Sequence, residues 1–86
     1  MKLLWADEAW EDYLWWKKKD PRQLKRINRL IEAIEQDPFR GIGKPEPLKY
    51  EWAGYWSRRI NEEHRLVYKV SAGKIFIAAC RYHYKG

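Results

Sequence analysis

Two hydrophobic rhythms divide the chain. Leu24, Ile27, Leu30, Ile31 and Ile34 recur at helical spacing. Ahead of them Asp20 stands as a cap, Pro21 takes the first helical position, and Gln23 sits where a capping-box partner would. Further upstream the short apolar run "KLLW", Lys2 to Trp5, reads as a strand. A first helix is expected from a cap at Asp7 to about Lys19. Its first turns carry Asp7, Glu8, Glu11 and Asp12, and its last turn Lys17, Lys18 and Lys19, a polarity that suits the helix dipole. Trp10, Tyr13 and Leu14 are expected to face inward. With almost no loop between them, the two helices form an antiparallel hairpin.

The rhythm changes after "DPFRGIGKPEP", Asp37 to Pro47, where Gly41 and Gly43 permit unusual backbone angles and Pro45 and Pro47 forbid helix. Three strand-like runs follow: "YWSRRI", "HRLVYKV" and "KIFIAACRYHY", joined by "NEE" and "SAG". Three-residue loops set Arg59 opposite Arg65, Val70 opposite Lys74, and Arg65 opposite Ala79. Alternation then puts Arg59, Arg65, Arg81 and His83 on one sheet face, and Leu66, Tyr68, Phe76, Ala78 and Cys80 on the other. The expected architecture is a single α+β domain spanning residues 1–86. Its order is β-α-α-β-β-β, a helical hairpin packed on a twisted antiparallel sheet to which the first strand is added.

Composition narrows the class. A chain of 86 residues holds one domain, and 45% apolar residues suit a globular fold. The net charge of +6 draws polyanions, nucleic acid first and anionic membrane second. The single cysteine, Cys80, cannot form an internal disulfide, which suits a reducing cytoplasm. No apolar stretch is long enough to span a bilayer, and Asp7 and Glu8 interrupt the amino-terminal apolar run too early for a signal peptide.

Like charges opposed on a sheet are destabilising, so Arg59 beside Arg65 needs a counterion. Glu62 or Glu63 could supply it; so could a substrate phosphate, which arginine forks bind in pairs. His83, on the same face, is a group able to give a proton to a leaving oxygen, although a histidine near a terminus is most often just exposed. Glu46, held between Pro45 and Pro47, is displayed on a stiff loop and flanked by Lys44 and Lys49; it can equally be an ordinary surface glutamate. His64 reads as structural. "GIGKP" lacks the spacer and hydroxyl of a phosphate loop. Cys80 and His83 point to opposite faces, so no metal site is expected.

Taken together, "GKPEPLK", "GYWSRRI", "EEHRLVY" and "ACRYHY" resemble the YoeB-type toxins, a branch of the RelE/ParE superfamily of bacterial toxin–antitoxin systems. The likeness runs from "MKLLW" through Tyr84. It implies a RelE-like microbial ribonuclease fold and an mRNA interferase that enters the ribosomal A site and cuts the codon there. It further implies Glu46 as general base, Arg65 as transition-state stabiliser and His83 as general acid. Lys49 and Arg59 then bind phosphate, and Tyr84 shapes the site. No cofactor is implied. A YefM-like antitoxin whose flexible tail wraps the toxin is, and so is a homodimer. Lys85 and Gly86 extend past the family's usual terminal tyrosine. Two rivals stand beside this reading: a ParE-like toxin that does not cut RNA, and a plain nucleic-acid-binding domain working through the basic helix face of Arg22, Lys25, Arg26 and Arg29.

Overall fold

The computed structural model describes residues 1–82. Strand β1 (Lys2–Trp5) leads into helices α1 (Asp7–Lys19) and α2 (Pro21–Gln36). A two-residue strand β2 (Glu46–Pro47), a 3₁₀ turn (Tyr50–Trp52) and strands β3 (Trp56–Arg59), β4 (Arg65–Ser71) and β5 (Lys74–Ala79) complete the order. The sheet runs β1-β5-β4-β3-β2. It is mixed, because β1 lies parallel to β5 at one edge while the other pairings are antiparallel. The segment read as loop thus ends in a short strand that sets Glu46 on the sheet.

The helices cover one sheet face. Ile27, Leu30 and Ile34 of α2 meet Leu66, Tyr68, Ile75 and Ile77 there, all fully buried. Each aliphatic side chain so buried contributes about 1.5–3 kcal/mol. Of the residues expected inward on α1, only Tyr13 packs against the core, partly buried. Ala9 and Trp16 are buried, whereas Trp10 and Leu14 are exposed. Trp10 instead stacks on Tyr13 at 5.4 Å and meets the edge of Trp5 at the same separation.

Helix starts also differ from the sidechain-capped form. The β1 ladder runs one residue further, with the Ala6 amide bonded to the Ile77 carbonyl at 2.9 Å, so Ala6 is the cap and Asp7 the first helical residue. Asp20 does occupy the cap of α2, but its backbone carbonyl, not its carboxylate, takes the Gln23 and Leu24 amides. Gln23 therefore has no side-chain cap to reciprocate.

Register is the largest correction. Arg59 does pair with Arg65. The β4–β5 turn, however, is Ala72–Gly73 and not "SAG": Ser71 pairs with Lys74 and Val70 with Ile75. This slip by one flips the face of β5, so Ile75 and Ile77 enter the core and half-buried Phe76 leaves it. An irregularity then passes over Ala78, because Tyr68 pairs with Ile77 and Val67 with Ala79. The extra residue restores the parity, and Cys80 is in the core as expected.

Candidate active site

Pairing brings three of the expected site residues, Glu46, Arg59 and Arg65, to one sheet face. Glu46 is opposite Ser57, and Ser57 is opposite Val67. Two residues along, Arg59 faces Arg65. Partners across a ladder share a face, as do residues two apart on a strand. Glu46, Arg59 and Arg65 consequently lie on the face opposite Leu66 and Tyr68, away from the helices. Arg81 does not join them. It leaves the sheet after β5 and its guanidinium lies 3.7 Å over the ring of Trp15 on α1.

Arg65 is 9% exposed, and its Nη1 donates to the carbonyls of Asn61 at 2.7 Å, His64 at 3.1 Å and Glu62 at 3.3 Å. These bonds anchor one corner of the guanidinium to the β3–β4 turn and use only Nη1. The turn itself is tied by Asn61 Oδ1, which accepts the amides of Glu63 and His64. Burial, and then the neighbouring Arg59 cation, depress the Arg65 pKa; the carboxylates of Glu62 and Glu46 oppose that shift. Of the two carboxylates expected as counterions, Glu62 acts on this arginine, and Glu46 belongs to its electrostatic neighbourhood as well. Arg59 and Glu46 are exposed, as a site open to substrate requires. Lys49 is exposed too, three residues beyond Glu46, where it precedes the 3₁₀ turn. His83 and Tyr84 lie outside the described residues.

Glu46 owes its placement to a residue that the pattern reading passed over. Arg58 is fully buried, on the helix side of β3. Its Nη2 donates to the carbonyls of Asp37 (2.7 Å) and Arg40 (2.8 Å), and its Nη1 to that of Ile42 (3.1 Å). Its Nε donates to the Tyr68 hydroxyl at 3.1 Å, which donates in turn to the Pro38 carbonyl at 2.6 Å. One side chain so gathers the loop that leads to Glu46. Gly43 completes the lock: its φ is +86°, a Cβ there would stand 2.7 Å from Leu30 Cδ2, and its carbonyl accepts the Arg59 amide at 2.7 Å. The sequence did carry a signal, since alternation in "WSRR" must turn one arginine inward if it turns the other out.

The remaining titratable groups near this end are structural. Burial, with help from the Asp12 carboxylate, pushes the Cys80 thiol up to about 12, so it stays protonated. Burial also raises Asp12, against the attraction of Arg81. Among the described residues no cluster of three or more His, Cys, Asp or Glu side chains is arranged to hold a metal ion.

A helical hairpin packed on one face of a mixed five-stranded sheet, with Glu46, Arg59 and Arg65 on the opposite face, is an α+β fold of the kind found in small bacterial toxins. The family described as YoeB-like toxin of bacterial type II toxin-antitoxin system matches residues 5–84, and the chain belongs to that family. It is 58% identical to Toxin YoeB of Escherichia coli K12 over 84 residues, covering 98% of this chain and all of that one. A structure of the YoeB dimer from Staphylococcus aureus superposes with a TM-score of 0.92 at 46% identity, over 98% of each chain. The toxin chain of a heterotetrameric YoeB–YefM toxin–antitoxin complex from the same organism does so with a TM-score of 0.91, again at 46% identity and over 98% of each chain.

Proposed function

We propose that this protein is a ribosome-dependent mRNA interferase, an endoribonuclease that cuts mRNA in the A site and so stops translation. The observation that carries the reading is the convergence of Glu46 with Arg65 and Arg59 on one sheet face. RNA brings its own nucleophile, the 2′-hydroxyl. Glu46 takes the proton from that hydroxyl, and the 2′-oxygen attacks phosphorus. Arg65, already anchored through Nη1, meets the charge that builds on the phosphoryl oxygens. His83 protonates the departing 5′-oxygen as the P–O5′ bond breaks, leaving a 2′,3′-cyclic phosphate and a 5′-hydroxyl. Lys49 and Arg59 hold flanking phosphates, and Tyr84 shapes the pocket around the scissile nucleotide. The depressed pKa of Arg65 fits this assignment, because a desolvated cation gains from a phosphate more than a solvated one does.

Few side chains do the chemistry, so the substrate must be oriented by something larger; the ribosome supplies that frame. The protein accordingly works in the cytoplasm, and a YefM-like antitoxin keeps it silent between episodes, as the S. aureus complex suggests by analogy. A homodimer is the expected resting assembly, by analogy with the S. aureus dimer.

Induction in cells followed by mapping of mRNA 5′ ends tests the reading. Cuts phased with the codons should appear, and His83→Ala or Arg65→Ala should remove them. Substituting the exposed basic residues Arg22, Lys25 and Arg29 of α2 should leave the cuts in place. Growth arrest without codon-phased cuts, lost with those helix substitutions but kept in His83→Ala, would overturn the assignment in favour of a basic binding module.

A further inference from the structure

His64 is buried at the entrance to β4, and no role in the chemistry above is given to it. Its ring packs edge-on against Trp16 of α1 at 4.8 Å. Its Nδ1 accepts the backbone amide of Tyr82 at 2.7 Å. An accepting Nδ1 places the ring proton on Nε2, which lies 3.5 Å from a carboxylate oxygen of Glu63. The other end of the same residue is held as well, since the Tyr82 carbonyl accepts the Arg65 amide at 2.9 Å. Just before it, the Cys80 carbonyl takes the Trp16 indole N–H at 2.7 Å, and Arg81 lies on Trp15. Tyr82 is held at φ +66°, in the left-handed region that residues with a Cβ seldom occupy.

Backbone bonds on both sides, together with an unfavourable φ, are far more than a surface tail needs. Because His64 and Arg65 are adjacent, the residue that anchors the cation also anchors the chain leading to His83. We propose that His64 is a positioning residue: its Nδ1 lone pair fixes the Tyr82 peptide, and the proton transfer assigned to His83 depends on that anchor, a role that rests on the ribonuclease reading. An acceptor at the Nδ1 position is what matters, not an imidazole. Asparagine puts its Oδ1 at that position, whereas glutamine carries its oxygen one bond further out.

The test compares His64→Asn, His64→Gln and wild type on programmed ribosomes, with thermal melts and Tyr82 amide exchange measured alongside. His64→Asn should keep kcat within about threefold of wild type. His64→Gln should lower kcat on the order of 100-fold with KM little changed, since a displaced proton donor slows chemistry and not binding. Its Tyr82 amide should exchange faster at an unaltered Tm. Equal kcat and equal Tyr82 exchange in the two variants would overturn the proposal. Wild type at pH 8 gives a variant-free check: ring nitrogen NMR should show the hydrogen on Nε2, and a hydrogen on Nδ1 would overturn it equally. If wild type itself fails to cut, the ribonuclease reading falls, while exchange and tautomer still decide whether His64 holds the Tyr82 peptide.

Discussion

Arg58 shows what one side chain decides. A buried guanidinium usually has a carboxylate beside it; among the described residues this one has none, and backbone carbonyls with one phenol replace it. Its removal leaves those acceptors buried and unpaired, at about 1–3 kcal/mol each. Arg58→Met should therefore lower the unfolding free energy by roughly 3 kcal/mol or more, read from urea melts. Tyr68→Phe should have a smaller effect, about 1–2 kcal/mol, because it breaks only the bonds of one hydroxyl. Cys80 gives a pH prediction. Its thiol ionises near 9 when unfolded and near 12 in the fold, so the native state keeps a proton that the unfolded chain loses. Stability should fall as pH rises from about 9 toward 12, and Cys80→Ala should flatten that part of the profile. At pH 8 the native thiol should resist alkylation until denaturant is added.

The elements differ in how far their sequence dictates them. Helix α2 was legible because its apolar period and the Asp20–Pro21 start agree, and the residues expected inward are largely the ones buried. Helix α1 was less so. Its aromatic residues lie on more than one side, and the pattern could not tell that Trp10 would stack on Tyr13 at the surface while Ala9 took the core. The β4–β5 register was missed for a specific reason. Two-residue hairpins announce themselves with Asn-Gly or Asp-Gly, and here the left-handed first position is filled by Ala72 at φ +51°. Alanine resists that conformation, which hid the turn inside "SAG". The same fact makes a prediction: Ala72→Asn should stabilise the protein by about 0.5–1 kcal/mol, a gain of a few degrees in Tm. A loss of stability would mean that the turn is not the two-residue form described.

Across the whole molecule, strands from different parts of the chain meet on one face to make the site. Alternation placed Arg65 and prolines stiffened the loop of Glu46, but only the family resemblance, and not the pattern, joined the two in one site. Alternation turns Arg58 inward and His64 reads as structural, but the sequence could not give the partners they hold, the loop carbonyls for the one and the Tyr82 amide for the other. Such support depends on which carbonyls and amides happen to arrive nearby, and no local pattern encodes that. Under the proposed function, the net charge of +6 should add long-range attraction to ribosomal RNA and make association sensitive to salt without altering the chemical step.

The most direct measurement is single-turnover cleavage of an A-site codon on purified ribosomes by wild type, Glu46→Gln and Arg65→Ala, each first shown to melt at the wild-type temperature. The account predicts that wild type cuts and that each substitution slows the chemical step by about 10²–10⁴-fold while the protein still binds the ribosome. Cleavage by a folded Glu46→Gln protein at the wild-type rate would contradict it.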